Sequence, residues 1–434
     1  MTGVPGAGKT LVGLRAAYSP IAQSAIGSAP CFASGNIPLI KVLTRALQLN
    51  RAKERDKLRS VAHEIATPFQ NIHRFAAQHL SDVDQRPPPF RVVIFDEAQR
   101  VWSRKKVYNT QKKRQHRQGD FDKIPENLWN HSEPELLLQV MERYDDWCVI
   151  VALVGGGQEI HDGEAGLAEW GRALNDRRKE WTVLASPVAI HGGPTLSGKT
   201  LFAETSNPSI GAVTVLPLHL SVTKRCSRAE RLTEWVDCIL KSDAAAARAI
   251  FGQLSEFPIM LVRDLRLAKT FLRRFGGSET RTGLLASSEG DRLRAEGIEV
   301  SMESRRGINF PDWFVQPPGR VDSSNQLEVA ATEFECQGLE LDWTGVCWGN
   351  DFVFNASQKG WNYWKLWGTR LRSVSDQMEQ EFTRNVYRVL LTRAREGMVL
   401  FVPHGDESDP TRPVSCYDET VDMLKACGLE ETIA

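Results

Sequence analysis

Neither sign of charge prevails in this chain. Its 434 residues carry 54 Lys plus Arg and 54 Asp plus Glu, so whole-molecule attraction to a polyanion is excluded and any charged partner must meet a local patch. No apolar run reaches the roughly 18 residues of a membrane helix, and the N-terminus has no basic-then-apolar leader. A cytoplasmic location without membrane contact is expected. Cysteine is sparse and scattered: the eight thiols, from Cys31 to Cys427, never lie closer than eleven positions apart. Without CxxC or a His-rich tract, structural zinc is not expected, and reduced, mostly buried thiols are. What is present, 41% hydrophobic and 25% charged residues, excludes disorder and suits two or three globular domains.

Apolar runs at 91–97, 148–154, 181–185, 213–218, 257–262 and 397–403 alternate with helical stretches. Near-continuous apolar strands need both faces covered, so the expected fold is α/β with mostly parallel sheets. A composition change near 220, with Ser221 to Arg231 as the crossing segment, places a boundary between domains 1–220 and 221–434. Two stretches break the pattern and read as insertions or loops. Residues 103–119 hold seven Lys or Arg and no acid, and 343–367 holds five tryptophans.

Gly3-Val-Pro-Gly-Ala-Gly8-Lys9-Thr10 fits GxxxxGK[ST], in which glycines (Gly3, Gly6, Gly8) let backbone N–H groups close on phosphate oxygens. Lys9 would reach the β/γ-phosphates and Thr10 a Mg²⁺ ion, and the helix that follows would aim its positive end at the anion. A second match spans Gly193 to Thr200. The partner acids decide between them: VVIFDEAQ supplies Asp96 for Mg²⁺ and Glu97 to orient water downstream of the first, with Gln99 in the same site, and nothing comparable follows the second. The first match leaves no room for a strand before Gly3, so a shortened start is expected, with an N-terminal domain or partner outside this chain.

With GVPGAGKT, DEAQ and VALVGGGQEIHDGEAGLAEWGRAL together, the sequence resembles superfamily 1 helicases, and more closely the Schlafen group 3-like DNA/RNA helicase domain family. The resemblance runs from Gly3 to the tail after Tyr417. It implies two RecA-like domains with ATP and Mg²⁺ in the cleft between them. Carried over residue by residue, it implies nucleic-acid contacts from Ser34 and Asn36 in ASGNIPLIKVL. Gln158 would sense the γ-phosphate, Arg225 (or Arg228) would face it from the second domain, and Arg393 in LLTRAR would be the arginine finger. In ATEFECQGLELDWTGV, Gly338 and Glu340 fall in register near the nucleotide. Phe334 stands in the family's His place and Gln337 in its Lys place, which weakens the nucleic-acid coupling expected there.

Residues also suggest strand-binding surfaces. Trp364 and Trp367 alternate with cations and could stack bases, or could pack in a core. Lys112 and Lys113 in the basic run could grip backbone, or lie in a solvated loop. The expected function is an ATP-dependent motor on single-stranded or partly duplex DNA or RNA. A nucleotide-binding switch of a larger defence or repair protein that has lost hydrolysis, and a P-loop phosphotransferase, compete with it.

Overall fold

The computed structural model describes residues 1–4, 6–19, 29–54, 69–73, 75, 79, 85–117, 130–155, 165–175, 181–196, 198–202, 212–222, 227–254, 256–277, 279–301 and 305–433, with side chains masked at 51–54, 111, 113–117 and 227–229. They form two compact units: Met1–Ile40 with Leu47–Lys224, and Lys41–Ala46 with Arg225–Ala434.

In the first unit the strands are β1 (Thr2–Gly3), β2 (Cys31–Ser34), β3 (Phe69–Asn71), β4 (Val92–Asp96), β5 (Val149–Ala152), β6 (Val183–Ala185), β7 (Ala212–Thr214) and β8 (His219–Leu220). Every pairing among them is parallel, in the order β3-β2-β4-β5 with smaller pairs β1-β8 and β6-β7. β4 lies between β2 and β5 and is buried at all five positions. That burial explains why VVIF carries no polar alternation. Its side chains Val93 and Phe95 pack with Leu137, Val140 and Trp170. The helix Glu133–Met141 starts in a capping box between Ser132 and Glu135 and is buried at every position but Gln139, a pattern of local propensity and burial acting together.

The second unit holds β9 (Ile259–Val262), β10 (Thr282–Ala286), β11 (Ala330–Ala331), β12 (Leu341–Cys347), β13 (Phe352–Asn355), β14 (Gly360–Trp367), β15 (Arg370–Ser373) and β16 (Ala394–Phe401). Five of them make an all-parallel sheet in the order β11-β10-β12-β16-β9, and β13-β14-β15 is an antiparallel meander. The fold is therefore mixed α/β with mostly parallel sheets. No helix among the described residues is long and apolar enough to cross a membrane.

Three readings of the sequence are corrected here. The tryptophan-rich stretch is sheet, comprising β12, β13 and β14. Several of its rings face inward: Phe352 and Trp361 stack with centroids 4.3 Å apart, beside the fully buried Trp348 and Tyr387. The basic run is a helix, Arg104–Arg117, because Val107 on its inner face packs with Leu136 and Trp102. In the run at 213–218 only the start is strand, since Leu216–Leu218 turns as a 3-10 helix with Pro217 in its first turn.

Candidate active site

The helix Lys9–Tyr18 begins directly at the loop's lysine. Gly8 caps it at φ 85°, a left-handed conformation, and no acid occupies its first turn. Gly6 is also left-handed, at φ 74°, so the loop turns twice through backbone that side-chain-bearing residues rarely adopt. Gly3 ends β1, pressed against Leu220: a Cβ there would come within 2.9 Å of the leucine's own Cβ. β1 is held on both sides, by β8 and by a bridge from Thr2 to Val154. The Thr2 hydroxyl lies 2.6 Å from Ser186 Oγ and 2.8 Å from His219 Nδ1. Lys9 Nζ donates to the carbonyls of Gly3 at 3.0 Å and Val4 at 3.4 Å, curling its ammonium over the loop.

Thr10 Oγ1 donates to Asp96 Oδ2 at 2.8 Å, across 86 positions of sequence. Asp96 is 2% exposed, at the end of β4. Burial, reinforced by the Glu97 charge beside it, pushes its carboxyl up to about 7, against the opposing pull of the Thr10 hydrogen bond. Glu97 sits at φ 54°, left-handed without being glycine, and pairs with Arg100 at 3.1 Å. Such backbone is costly and recurs at functional positions. Ala98 is fixed from two directions, its N–H on Leu153 O at 2.9 Å and its carbonyl under Trp170 Nε1 at 2.7 Å. Gln99 is buried and accepts from the Gly155 N–H at 3.0 Å, tying the acidic turn to the segment that follows β5.

Gly155 and Trp170 were not singled out from the sequence. Gly155 opens the GGG run, and a Cβ at that position would sit 3.0 Å from Lys9 Cε. Trp170 could have been found only by noting that one amphipathic helix, Gly166–Asn175, carries an indole among its buried residues.

The second GxxxxGKT match is built differently. The N–H groups of Gly198 and Lys199 donate to Gly193 O at 3.0 Å and Leu196 O at 2.9 Å, and a bend at Leu201–Phe202 follows where a phosphate loop needs a helix. Among its described residues the amides of Gly198 and Lys199 are turned onto the loop's own carbonyls, and no helix start is present to meet an anion.

Ser34 and Asn36 are both buried. Asn36 Oδ1 accepts from Leu39 N at 3.1 Å and so caps the helix Ile37–Glu54, and Ser34 Oγ accepts from Asn36 N at 3.1 Å. Lys112 is exposed on the basic helix, its Nζ 5.8 Å from the Tyr108 ring centroid. The side chain of Lys113, and all of Gln158 and Arg225, lie outside the described residues, as does the side chain of Arg228.

In the second unit, Gly338 is left-handed at φ 76° and follows the buried Gln337, the C-cap of the helix Glu333–Cys336. Phe334 and Glu340 are exposed. Arg393 is 4% exposed, and its guanidinium donates to Val389 O at 2.9 Å, Leu339 O at 3.5 Å and Thr392 Oγ1 at 3.1 Å. Arg395, two residues on, is exposed and pairs with Asp342 at 3.3 Å. Trp364 lies in β14 half-buried. Trp367 is 69% exposed at the strand's end, under the Arg372 guanidinium at 5.0 Å.

The first unit's loop thus has the parts of an anion site: left-handed glycines, a helix start without a side-chain cap, a lysine, and a hydroxyl paired with a buried carboxylate. The chain belongs to the family described as Schlafen group 3, DNA/RNA helicase domain, which matches residues 1–404. It is accordingly a DNA/RNA helicase-like domain. No curated protein matches it.

Proposed function

We propose that the chain is an ATP- and Mg²⁺-dependent motor ATPase acting on single-stranded or partly duplex DNA or RNA, with two RecA-like domains. The observation that carries this reading is the Thr10–Asp96 hydrogen bond, because a hydroxyl and a carboxylate that share a proton without metal are the pair expected to share Mg²⁺. The residues present fit the group. The glycine loop turns through left-handed backbone at Gly6 and Gly8, the helix start is free of acids, and both proposed metal donors are oxygens. Thr10 and Asp96 would hold Mg²⁺, which when bound neutralises phosphate charge. Lys9 would bind the phosphates, Glu97 would position water, and Arg393 would supply a further cation to the charge that builds in hydrolysis. Gln99 is a positioning residue that holds the Gly155 N–H.

ATP hydrolysis measured with and without a single-stranded oligonucleotide tests the proposal. A rate that rises with DNA or RNA is expected. Hydrolysis indifferent to either would remove the motor, and nucleotide binding with no hydrolysis would favour a lapsed switch.

The raised Asp96 carboxyl gives a pH signature. Mg²⁺ requires the carboxylate, so below about pH 7 metal must displace a proton, and its apparent affinity should fall by about tenfold per pH unit. Mg²⁺ titrations of nucleotide binding at several pH values would show this, and a flat profile would count against Asp96 as the metal donor. The sign for stability is the reverse of an ion-paired acid. The folded chain holds this proton more tightly than the unfolded one, so the contribution is present below about 4 and is lost as pH rises through about 7. Without Mg²⁺, Asp96→Asn should melt above the parent by a margin that widens over that interval and is constant beyond it.

A further inference from the structure

The second unit contains a cavity of about 360 Å³ that none of the residues above uses except Trp364. Its walls are chiefly apolar: Val353, Trp364, Leu371, Cys416 and Tyr417, with Asn350 among them. Such a volume is at the small end of ligand pockets, about 300–1,000 Å³, and suits one ring system rather than an extended molecule.

Two hydrogen-bond donors in this wall have no partner, Asn350 Nδ2 and Trp364 Nε1. Asn350 is 3% exposed, and its Oδ1 accepts from Arg292 N at 3.4 Å, which identifies the NH₂ as the half left over. The main chain at Trp364 is pinned as well, its N–H on Asp351 O at 2.9 Å. Both nitrogens are closed to water, and an indole N–H or an amide NH₂ can only donate. A buried donor without an acceptor is costly, and each such case calls for a reason. What would satisfy the pair is a flat, largely apolar molecule bringing acceptors, admitted by a small turn of the Trp364 ring or the Asn350 amide.

The mouth supplies the rest. Arg370 lines the cavity and is exposed on β15, paired in register with the exposed Trp367. Arg372 lies over the Trp367 ring. An apolar slot with spare donors, rimmed by guanidinium groups and an open indole, matches a ring joined to a phosphate.

We propose that this cavity binds a nucleobase, inserted from a strand lying along the β14–β15 hairpin with Arg370 at its phosphate. This rests on the nucleic-acid part of the proposed function and adds to it the place where a base is held. The same ring chemistry could arrive as a free nucleoside, so the test separates the two sources.

Cys416 lines the cavity and is half-buried, so its alkylation reports occupancy. The full chain would be treated with iodoacetamide, Cys416 and the half-buried Cys238 followed by peptide mass spectrometry, and binding monitored separately by anisotropy of a labelled strand. At a strand concentration ten times the dissociation constant, oligo(dT) should slow Cys416 alkylation by about tenfold, with Cys238 unchanged. An abasic strand of equal length should protect little. Protection by thymidine alone would keep the nucleobase site and assign it to a free nucleoside. If oligo(dT) binds while Cys416 reacts as before, or if the abasic strand protects equally, the base site is overturned although nucleic-acid binding stands. If neither strand binds and thymidine does not protect, both fall. Leu371→Trp, which fills the cavity from the hairpin, should weaken oligo(dT) to the level of the abasic strand. The measurements on the parent chain decide the matter even if that variant does not fold.

Discussion

Lys9→Ala should lose ATP hydrolysis by at least about 10²–10³-fold, while Lys199→Ala leaves the rate within about twofold. Both lysines stand in GxxxxGKT, and only their surroundings differ. Lys9 opens a ten-residue helix whose second residue, Thr10, is hydrogen-bonded to Asp96. At Lys199 the amides of Gly198 and Lys199 are already taken by Gly193 and Leu196 carbonyls, and the described residues that follow, Leu201 and Phe202, form a bend. An ammonium beside a phosphate stabilises charge only where amides and a helix end converge with it. Steady-state rates of the two variants compare the sites directly. A null Lys199→Ala would overturn the assignment of the loop at Gly3–Thr10.

Arg393→Ala should keep ATP affinity within a few-fold and lose hydrolysis by on the order of 10³ or more, the pattern of an interaction made mainly in the transition state. The geometry adds a complication that the test must separate. The guanidinium donates to Val389 O, Leu339 O and Thr392 Oγ1, and although Val389 O keeps the Thr392 N–H and hydroxyl, alanine also removes the packing of a buried side chain. A purely structural arginine would lower the melting temperature and leave turnover per folded molecule intact. A finger would lower single-turnover chemistry in protein shown to be folded and nucleotide-bound. Arg393→Lys should restore little of it, because an ammonium cannot reproduce the planar, forked contact. Normal turnover in Arg393→Ala would remove the residue from the chemistry.

How much of this was legible in advance follows from what each residue answers to. β4, β5 and β9 lie within apolar runs and β16 overlaps one; β4 and most of β16 are covered, and a covered parallel strand needs no polar alternation. The proximity of Thr10 to Asp96 was readable from residue types, since a hydroxyl beside a loop lysine and an acid after a buried strand serve one ion. The basic helix was not, because Val107 is the one buried residue among the described side chains of a segment otherwise rich in Lys and Arg, and composition outweighed periodicity. The antiparallel meander was missed for the opposite reason: counting tryptophans drew attention to chemistry and away from the strand that carries Trp361 into the core and ends at the exposed Trp367. Asn36 shows the limit of motif reading, as the same side chain that could touch a phosphate backbone caps a helix. Gln99 could be assigned to the site by spacing, but that it holds Gly155 depends on where β5 ends, which no local pattern states.

Gly155 also bears on how inherited or engineered variants of this chain would be interpreted. It lies 146 positions from Lys9 and belongs to another strand's exit, yet any side chain added there meets the Lys9 Cε at 3.0 Å and its Nζ at 3.3 Å. A damaging change at this glycine is therefore a lesion of the lysine by proxy. Scored by sequence neighbourhood it would be filed under a loop, whereas its defect should be grouped with those of position 9, and a compensating second change should be sought in the loop at Gly3–Thr10 rather than in the strand that carries it.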